Sequence, residues 1–278
     1  NQVSFVDLTK VINNSNAEEI LSTFSFISLD QNKWDKTPNN IFIENIVELT
    51  TETVSLEDIM KFKDAGINYQ RVNVGLAQKG KSDLSSRLMY EGERESSSHI
   101  EFWKGTDINE YYIAPTTGRY CRPNIQLASN ERVILNADYF AIAPKLIWRQ
   151  TAPYPISTVD YEGVWFGRSI QAGIIDPKYT SKLSYEYLCG LLNSKYLRYL
   201  YEQNVKEGGR VFPQVKLEKL KPLPIVIPSA EQKAEIEELV TKTILATSNG
   251  DVDNAQELKA TIDKKVFELY KVDPSSIA

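Results

Sequence analysis

The spacing of apolar residues changes near Leu183, and this change constrains the fold more than any other feature of the sequence. Between residues 66 and 190, short β-branched or aromatic runs alternate with Gly, Pro and Asn, as in an irregular antiparallel sheet. The runs cover residues 69–76, 111–113, 132–135, 139–143, 145–148 and 163–166. Over residues 183–202, leucines and tyrosines recur instead at helical spacing. The sequence therefore predicts a mixed α/β (α+β) fold, in which a strand-rich lobe precedes a helical region.

The last 50 residues carry the signals of two amphipathic helices. Ser229 and Gln232 have the spacing of a capping box, and an apolar stripe follows them. Asn249-Gly250 interrupts this pattern, and a second stripe runs from about Asp253 to a point before Pro274. Two such helices joined by a short glycine turn predict a C-terminal antiparallel helical hairpin.

These patterns divide the chain into three parts: an N-terminal linker segment (1–60), a globular domain (61–228) and the helical hairpin tail (229–278). Within them, residues 56–62 are predicted to form a short helix that Ser55 caps. The polar, serine-rich stretch 79–98 is predicted to be a loop.

The composition is that of a folded protein, with 42% hydrophobic and 25% charged residues. Because no apolar stretch approaches the roughly 20 residues that a bilayer requires, we expect no membrane span. Cys121 and Cys189 have no metal-ligand spacing, and we expect two free thiols in a reducing cytoplasm. The chain opens Asn1-Gln2 without an initiator Met or a leader, which is typical of a piece of a longer protein.

Residues that carry chemistry are few. His99 is the only histidine and lies in a serine-rich stretch, so it has no histidine cluster for metal binding. Gly208-Gly209-Arg210 lacks the preceding strand and following helix of a phosphate-binding loop, and Glu257-Leu258-Lys259 falls inside a predicted helix. We therefore expect no catalytic residues, no metal site and no cofactor in this chain.

Charge is distributed unevenly. The whole chain has a net charge of −5, but residues 60–225 contain 23 Lys+Arg and 17 Asp+Glu, a net charge of +6. A basic middle between acidic arms is compatible with a nucleic-acid partner, although affinity depends on where the charges point.

Basic and amide side chains in this middle segment are set among aromatic residues. Arginine can read guanine with two hydrogen bonds, Asn and Gln can read adenine, and lysine binds phosphate. Taken singly, each residue favours a solvated face or a local ion pair; as a set, they favour binding to duplex DNA. The candidates are Arg119, Arg122, Asn124, Lys145, Arg149, Gln150, Arg168, Lys206, Arg210, Gln214 and Lys216. We expect the basic ones to converge on one electropositive concave face, with arginines and amides at base edges and lysines at phosphates.

Several motifs, taken in order, resemble the TaqI-like C-terminal specificity (target-recognition) domain of type IIG restriction-modification enzymes. The best matches are Leu188-Cys189-Gly190-Leu191-Leu192-Asn193-Ser194-Lys195, Gly208-Gly209-Arg210-Val211-Phe212-Pro213-Gln214-Val215 and Leu220-Lys221-Pro222-Leu223-Pro224-Ile225. Residues 144–151 and 103–108 support them, and residues 66–75 lie where the family has a glycine-rich opening.

The resemblance implies that residues 61–228 are a DNA target-recognition domain without catalytic motifs. It also implies a bacterial, cytoplasmic parent protein whose methyltransferase and nuclease domains use S-adenosylmethionine and Mg²⁺ and adjoin this module. Two alternatives stay open at this point. One is a non-nucleic-acid interaction domain, a protein or glycan binder with an aromatic-rich sheet. The other is an enzyme with an unrecognised acid–base pair.

Overall fold

The strands of the chain are short and lie mostly before residue 176. The computed structural model describes residues 2–5, 27–30, 51–63, 66–73, 83–205 and 213–277, with the backbone alone for the first two ranges. The strands are β1 (Gln2–Phe5), β2 (Ile27–Asp30), β3 (Thr53–Ser55), β4 (Met60–Lys63), β5 (Asn68–Arg71), β6 (Met89–Glu91), β7 (Ile100–Trp103), β8 (Ile108–Asn109), β9 (Tyr112–Ile113), β10 (Arg119–Cys121), β11 (Glu131–Ile134), β12 (Lys145–Arg149), β13 (Ser157–Asp160), β14 (Trp165–Phe166), β15 (Ile170–Ile175) and β16 (Pro224–Val226).

Helices dominate after residue 184. The helices of the described residues are α1 (Leu56–Ile59), α2 (Leu84–Leu88), α3 (Ala137–Phe140), α4 (Tyr185–Asn193), α5 (Lys195–Asn204), α6 (Leu217–Leu220), α7 (Ala230–Ser248) and α8 (Val252–Tyr270). This distribution confirms the predicted mixed α/β fold with a strand-rich lobe and a helical C-terminal region.

Two four-stranded sheets form the strand-rich lobe. One has the order β13-β12-β15-β4 and is antiparallel throughout. The other has the order β14-β7-β10-β6, in which β14 runs parallel to β7. The described residues also contain the two-stranded pairs β1-β2, β5-β11, β3-β16 and β8-β9. Pairing of β3 with β16 brings the start of the lobe next to its helical end.

Strand β12 lies between two apolar cores, because successive side chains of a strand point to opposite faces. Leu146 and Trp148 belong to the core that β12 shares with the helices. Ile147 points the other way, into a second core with Phe102 and Phe140. The sheet that contains β12 is therefore covered on both faces, which explains why Lys145–Trp148 are all buried.

The C-terminal hairpin packs against this helical core as predicted. Ser229 and Gln232 form the reciprocal capping box at the start of α7, and α7 and α8 run antiparallel, with Lys265 paired to Glu235 at 2.8 Å. Helix α4 approaches α7 so closely that a Cβ atom on Gly190 would lie 2.9 Å from the Cγ2 of Ile236. The predicted division of the chain at residues 60 and 228 stays a prediction.

Four local predictions need correction. The helix that begins at Leu56 ends at Ile59, because the next residues pair with β15 as β4. The predicted loop over residues 79–98 contains α2 and β6 in its described part, residues 83–98. Residues 139–143 form the end of α3 and a turn rather than a strand, because Asn136 turns the chain with a φ of 46°. The helix predicted over 183–202 is split at Ser194, whose backbone is extended with a ψ of 150°.

None of the helices in the described residues combines the length and the apolar character that spanning a bilayer requires.

Candidate nucleic-acid interface

A tight turn at Gly105–Asp107 connects segments that are far apart in the sequence. The N–H of Gly105 donates to Ser169 Oγ at 2.8 Å, and a Cβ atom on Gly105 would lie 2.8 Å from the backbone oxygen of Ser169. The carboxylate of Asp107 accepts from the N–H of Lys104 at 2.6 Å and pairs with Arg119. Because a side chain at position 105 would collide with the backbone oxygen of Ser169, glycine is required there. We call Lys104, Gly105, Asp107, Arg119 and Ser169 the Gly105 cluster.

Backbone bonds extend the cluster to residues 150 and 214–216. The N–H of Gln150 donates to the oxygen of Ser169 at 2.8 Å, and the oxygen of Gln150 accepts from Val215 N–H at 2.7 Å. Val215 is buried, whereas Gln214 is exposed. These bonds place Gln150, Gln214 and Lys216 next to the Gly105 turn.

Arg149, at the end of β12, is held by the short strand β8. Its Nε donates to the backbone oxygen of Ile108, and its Nη2 donates to Asn109 Oδ1. The strand alternation predicted for residues 144–150 is present, but Arg149 leaves the buried part of the strand and is partly exposed.

Arg168 lies in the exposed turn that precedes β15 and is held by β5. Its Nη2 donates to Asn68 Oδ1 and, at 3.1 Å, to the backbone oxygen of Tyr69. The approach of β5 depends on Gly66, where a Cβ atom would lie 2.4 Å from the backbone oxygen of Phe166. This contact gives a physical reason for the glycine that opens residues 66–75.

The structure thus brings six of the predicted residues into one region. These are Arg119, Arg149, Gln150, Arg168, Gln214 and Lys216. Lys206 and Arg210 lie outside the described residues. Arg122 and Asn124 lie beyond the opposite end of β10, where Arg122 pairs with Glu95 at 2.9 Å and covers the ring of Tyr90.

The structure contradicts the predicted role of Lys145 in DNA binding. Its ammonium group is completely buried and pairs with Asp160 at 2.6 Å, and it donates to the backbone oxygens of Phe140 and Ile142. Because a DNA phosphate cannot reach this group, the predicted convergence of all eight basic residues on one face is wrong for Lys145. Whether the other residues contact DNA stays a prediction.

Residues 100–225 match the family model of the TaqI-like C-terminal specificity domain. This stretch of the chain is similar to that specificity domain. The match includes the whole Gly105 cluster but not Asn68 and Tyr69 of β5, which hold Arg168. A search of curated proteins found no match.

Solved structures similar to the chain include restriction-modification proteins. The HsdS subunit from Thermoanaerobacter tengcongensis is 16% identical, with a TM-score of 0.39, over 79% of this chain and 44% of that one. The type IIL restriction-modification enzyme MmeI, solved in complex with DNA, is 12% identical, with a TM-score of 0.48, over 74% of this chain and 33% of that one. The type IIG restriction endonuclease BpuSI is 10% identical, with a TM-score of 0.41, over 81% of this chain and 32% of that one. The chain spans less than half the length of each.

Carboxylates hold two basic side chains at the Gly105 turn in place. Arg119 pairs with Asp107, and Lys104 pairs with Glu91 at 3.2 Å. Burial alone would raise the pKa of Glu101, but hydrogen bonds from Thr116, Thr117 and Gly118 bring that pKa below its ordinary value. The carboxylate of Glu101 therefore stays ionised and fixes the turn that leads into Arg119.

The two thiols, those of Cys121 and Cys189, are buried and unsuited to nucleophilic chemistry. Burial raises the pKa of Cys121 to about 11 and that of Cys189 to about 12, so both thiols are protonated near neutral pH. The ring of His99 lies against Tyr90, with Nδ1 2.7 Å from the phenol oxygen. Within the described ranges, no three His, Cys, Asp or Glu residues are grouped in a way that could hold a metal ion.

The sequence did not predict the polar residues that hold the arginines and the Gly105 turn in place. Asn109, Asn68 and Ser169 contact partners that are 40, 100 and 64 residues away in the chain. The opening over residues 66–75 was a weak signal for Asn68, while nothing in the sequence distinguished Asn109 or Ser169 from other polar loop residues.

Proposed function

We propose that this chain recognises a specific base sequence in duplex DNA on behalf of a restriction-modification methyltransferase or endonuclease. The observation that carries the proposal is the Gly105 cluster: arginine, glutamine and lysine residues from four separate segments of the part that matches the specificity-domain family lie around one turn. Arginine and glutamine are the side chains that read guanine and adenine edges in the major groove, and lysine binds phosphates without regard to sequence.

Catalysis in this proposal belongs to other domains of the parent protein. The methyltransferase and nuclease domains would use S-adenosylmethionine and Mg²⁺, and this chain would supply their target sequence without a cofactor of its own. Two protonated, buried thiols and a histidine bonded to a tyrosine support this assignment. A bacterial cytoplasm is the compartment in which such a protein would meet DNA.

The test is binding of the purified chain to duplexes over a range of salt concentrations. Selection from a randomised duplex pool supplies the preferred sequence, and fluorescence anisotropy then gives the affinity for that sequence and for a scrambled one. We expect log K to fall linearly with log salt, by about 0.9 for each phosphate contacted. The preferred duplex should also bind about 10³-fold or more tightly than the scrambled duplex.

The matched control is Lys242→Ala on α7. Lys242 is exposed and, within the described residues, its one ion pair is with Glu238 of the same helix, at 2.6 Å, so its removal changes the net charge by one without touching the Gly105 cluster. Its binding should equal that of the unaltered chain. Binding that is absent, or that ignores both salt and sequence, would contradict DNA recognition and favour a protein or glycan binder.

A further inference from the structure

Arg149 and Arg168 differ from the neighbouring arginines in the groups that hold them. Arg119 and Arg122 each form an ion pair with a carboxylate. Arg149 and Arg168 are held by neutral oxygens of backbone carbonyls and asparagine side chains. Within the described residues, no carboxylate forms an ion pair with either of them. Both guanidinium groups therefore keep a positive charge that a DNA ligand can use.

The two guanidinium groups differ in the donors that remain. In Arg168, both bonds come from Nη2, so the two N–H groups of that nitrogen are engaged and no adjacent pair of donors is left. In Arg149, the bonds come from Nε and from one N–H of Nη2. Within the described part of the chain, Nη1 and the second N–H of Nη2 are not engaged, and they form a complete two-donor fork.

A two-donor fork with full charge matches guanine, which offers O6 and N7 as adjacent acceptors in the major groove. We propose that Arg149 reads a guanine of the target sequence and that Asn109 is the residue that positions it. Arg168, which lacks the fork, supplies a single contact of the kind that positions a protein on a phosphate. This inference rests on the proposed DNA recognition and names the base and the residues responsible.

The support beneath Asn109 is rigid. The turn that follows β8 is anchored by Tyr111, which is buried and whose N–H donates to the oxygen of Ser157 at 3.0 Å. The neighbouring Glu110 pairs with Lys259 of α8 at 3.0 Å. Asn109 therefore projects from a hairpin fixed to the helical core, and the guanidinium group of Arg149 loses little further freedom when it binds a base.

Base preference measured on randomised duplexes tests the proposal. The proteins compared are the unaltered chain, Arg149→Lys, Asn109→Ala, the double variant and the Lys242→Ala control. Lysine keeps the charge but not the fork. Arg149→Lys should lower the preference for guanine at one base pair by about 5- to 140-fold while leaving affinity for scrambled DNA nearly unchanged.

Asn109→Ala should weaken the preference at that same base pair, and the double variant should lose no more than Arg149→Lys alone, because the two residues act as one unit. Asn109→Asp keeps an acceptor for Nη2 but adds a carboxylate. It should retain the guanine preference and lower the affinity for all duplexes alike. If a thermal melt shows that Asn109→Ala is unfolded, Asn109→Asp still tests whether residue 109 positions Arg149.

The outcomes separate this inference from the proposed function. If the unaltered chain selects no sequence, DNA recognition itself is wrong. If it selects a sequence, but Arg149→Lys keeps the guanine preference, Arg149 is not the reader. Additive losses in the double variant, or a shift of preference at a different base pair in Asn109→Ala, would remove Asn109 from the positioning role.

Discussion

Lys145 and Asp160 form an ion pair in which the side chains are 0% and 1% exposed. Burying two charges is unfavourable unless their remaining hydrogen bonds are satisfied, and here they are. The ammonium group also donates to two backbone oxygens, and the carboxylate accepts from the N–H groups of Glu162, Gly163 and Val164. The pair therefore ties the start of β12 to the turn after β13.

Removing one partner of this pair leaves the other charge buried and alone. We expect Lys145→Ala to lower the free energy of unfolding by about 3–5 kcal/mol. Lys265→Ala removes a partly exposed cation from the pair with Glu235 and should cost less than about 1 kcal/mol. Urea unfolding followed by circular dichroism measures both. Similar losses for the two variants would mean that Lys145 is not the structural residue inferred from its burial.

At the scale of single elements, the end of α4 protects the edge of a sheet. Strand β13 lies at the edge of the order β13-β12-β15-β4, and such edges leave backbone groups without strand partners. Asn193 supplies those partners. Its Oδ1 accepts from the N–H of Ser157 at 2.8 Å, and its Nδ2 donates to the oxygen of Ser157 at 2.9 Å. This arrangement gives a structural role to the asparagine of the motif that runs from Leu188 to Lys195.

Asn193→Ala should destabilise the protein by about 1–3 kcal/mol, because the N–H of Ser157 loses its partner, whereas the oxygen of Ser157 keeps the bond from Tyr111 N–H. Asn249→Ala, in the exposed turn between α7 and α8, removes the same side chain where it makes no such contact and should change stability by less than about 0.5 kcal/mol. Thermal melts of both variants provide the comparison. An Asn193→Ala variant as stable as Asn249→Ala would show that water replaces the amide.

Helices and strands that are determined by residues close together in the sequence were predictable, whereas contacts between residues far apart in the sequence were not. The capping box at Ser229 and the stripes of α7 and α8 follow from residues within a few positions of one another. Alternation in β12 correctly placed Lys145 and Ile147 on one face. It could not show that this face is buried, because the partner carboxylate of Asp160 arrives from the next strand of the sheet.

The same limit applies to the Gly105 cluster. Residue types predicted which side chains could read DNA, but the acceptor that holds each arginine decides which ones carry a charge that no carboxylate compensates. Those acceptors come from segments brought together by the fold, as with Arg168 and Asn68, 100 residues apart. Sequence pattern therefore predicted the candidates, whereas the difference between Arg119 and Arg149 required the structure.

On the scale of the whole molecule, the two apolar cores share one sheet. Cys121 lies in the core between the two four-stranded sheets, and Cys189 lies in the core formed with the helices. Strand β12 contributes Ile147 to the first and Leu146 and Trp148 to the second. Because the strand cannot leave one core without exposing the other, we expect both cores to unfold in a single transition.

The two free, buried cysteines report on this coupling. Burial raises the pKa of Cys121 to about 11 and that of Cys189 to about 12, so the stability that their protonated thiols contribute is complete below the ordinary pKa and is lost as the pH rises from that value through the raised ones. Labelling with a thiol reagent at about pH 7.5 stays below the ordinary thiol pKa of about 8.5. Cys121→Ala and Cys189→Ala variants each leave one thiol, which is labelled in short pulses at increasing urea concentrations.

Both thiols should be unreactive in the folded protein. Each variant is slightly destabilised, so the urea concentration at which its thiol reacts is compared with the unfolding midpoint that circular dichroism gives for the same variant. Relative to these midpoints, the two thiols should become reactive at the same urea concentration. Reaction of Cys189 at a lower urea concentration than Cys121 would show that the helical core, including α7 and α8, unfolds first. In that case the shared sheet would not couple the two cores.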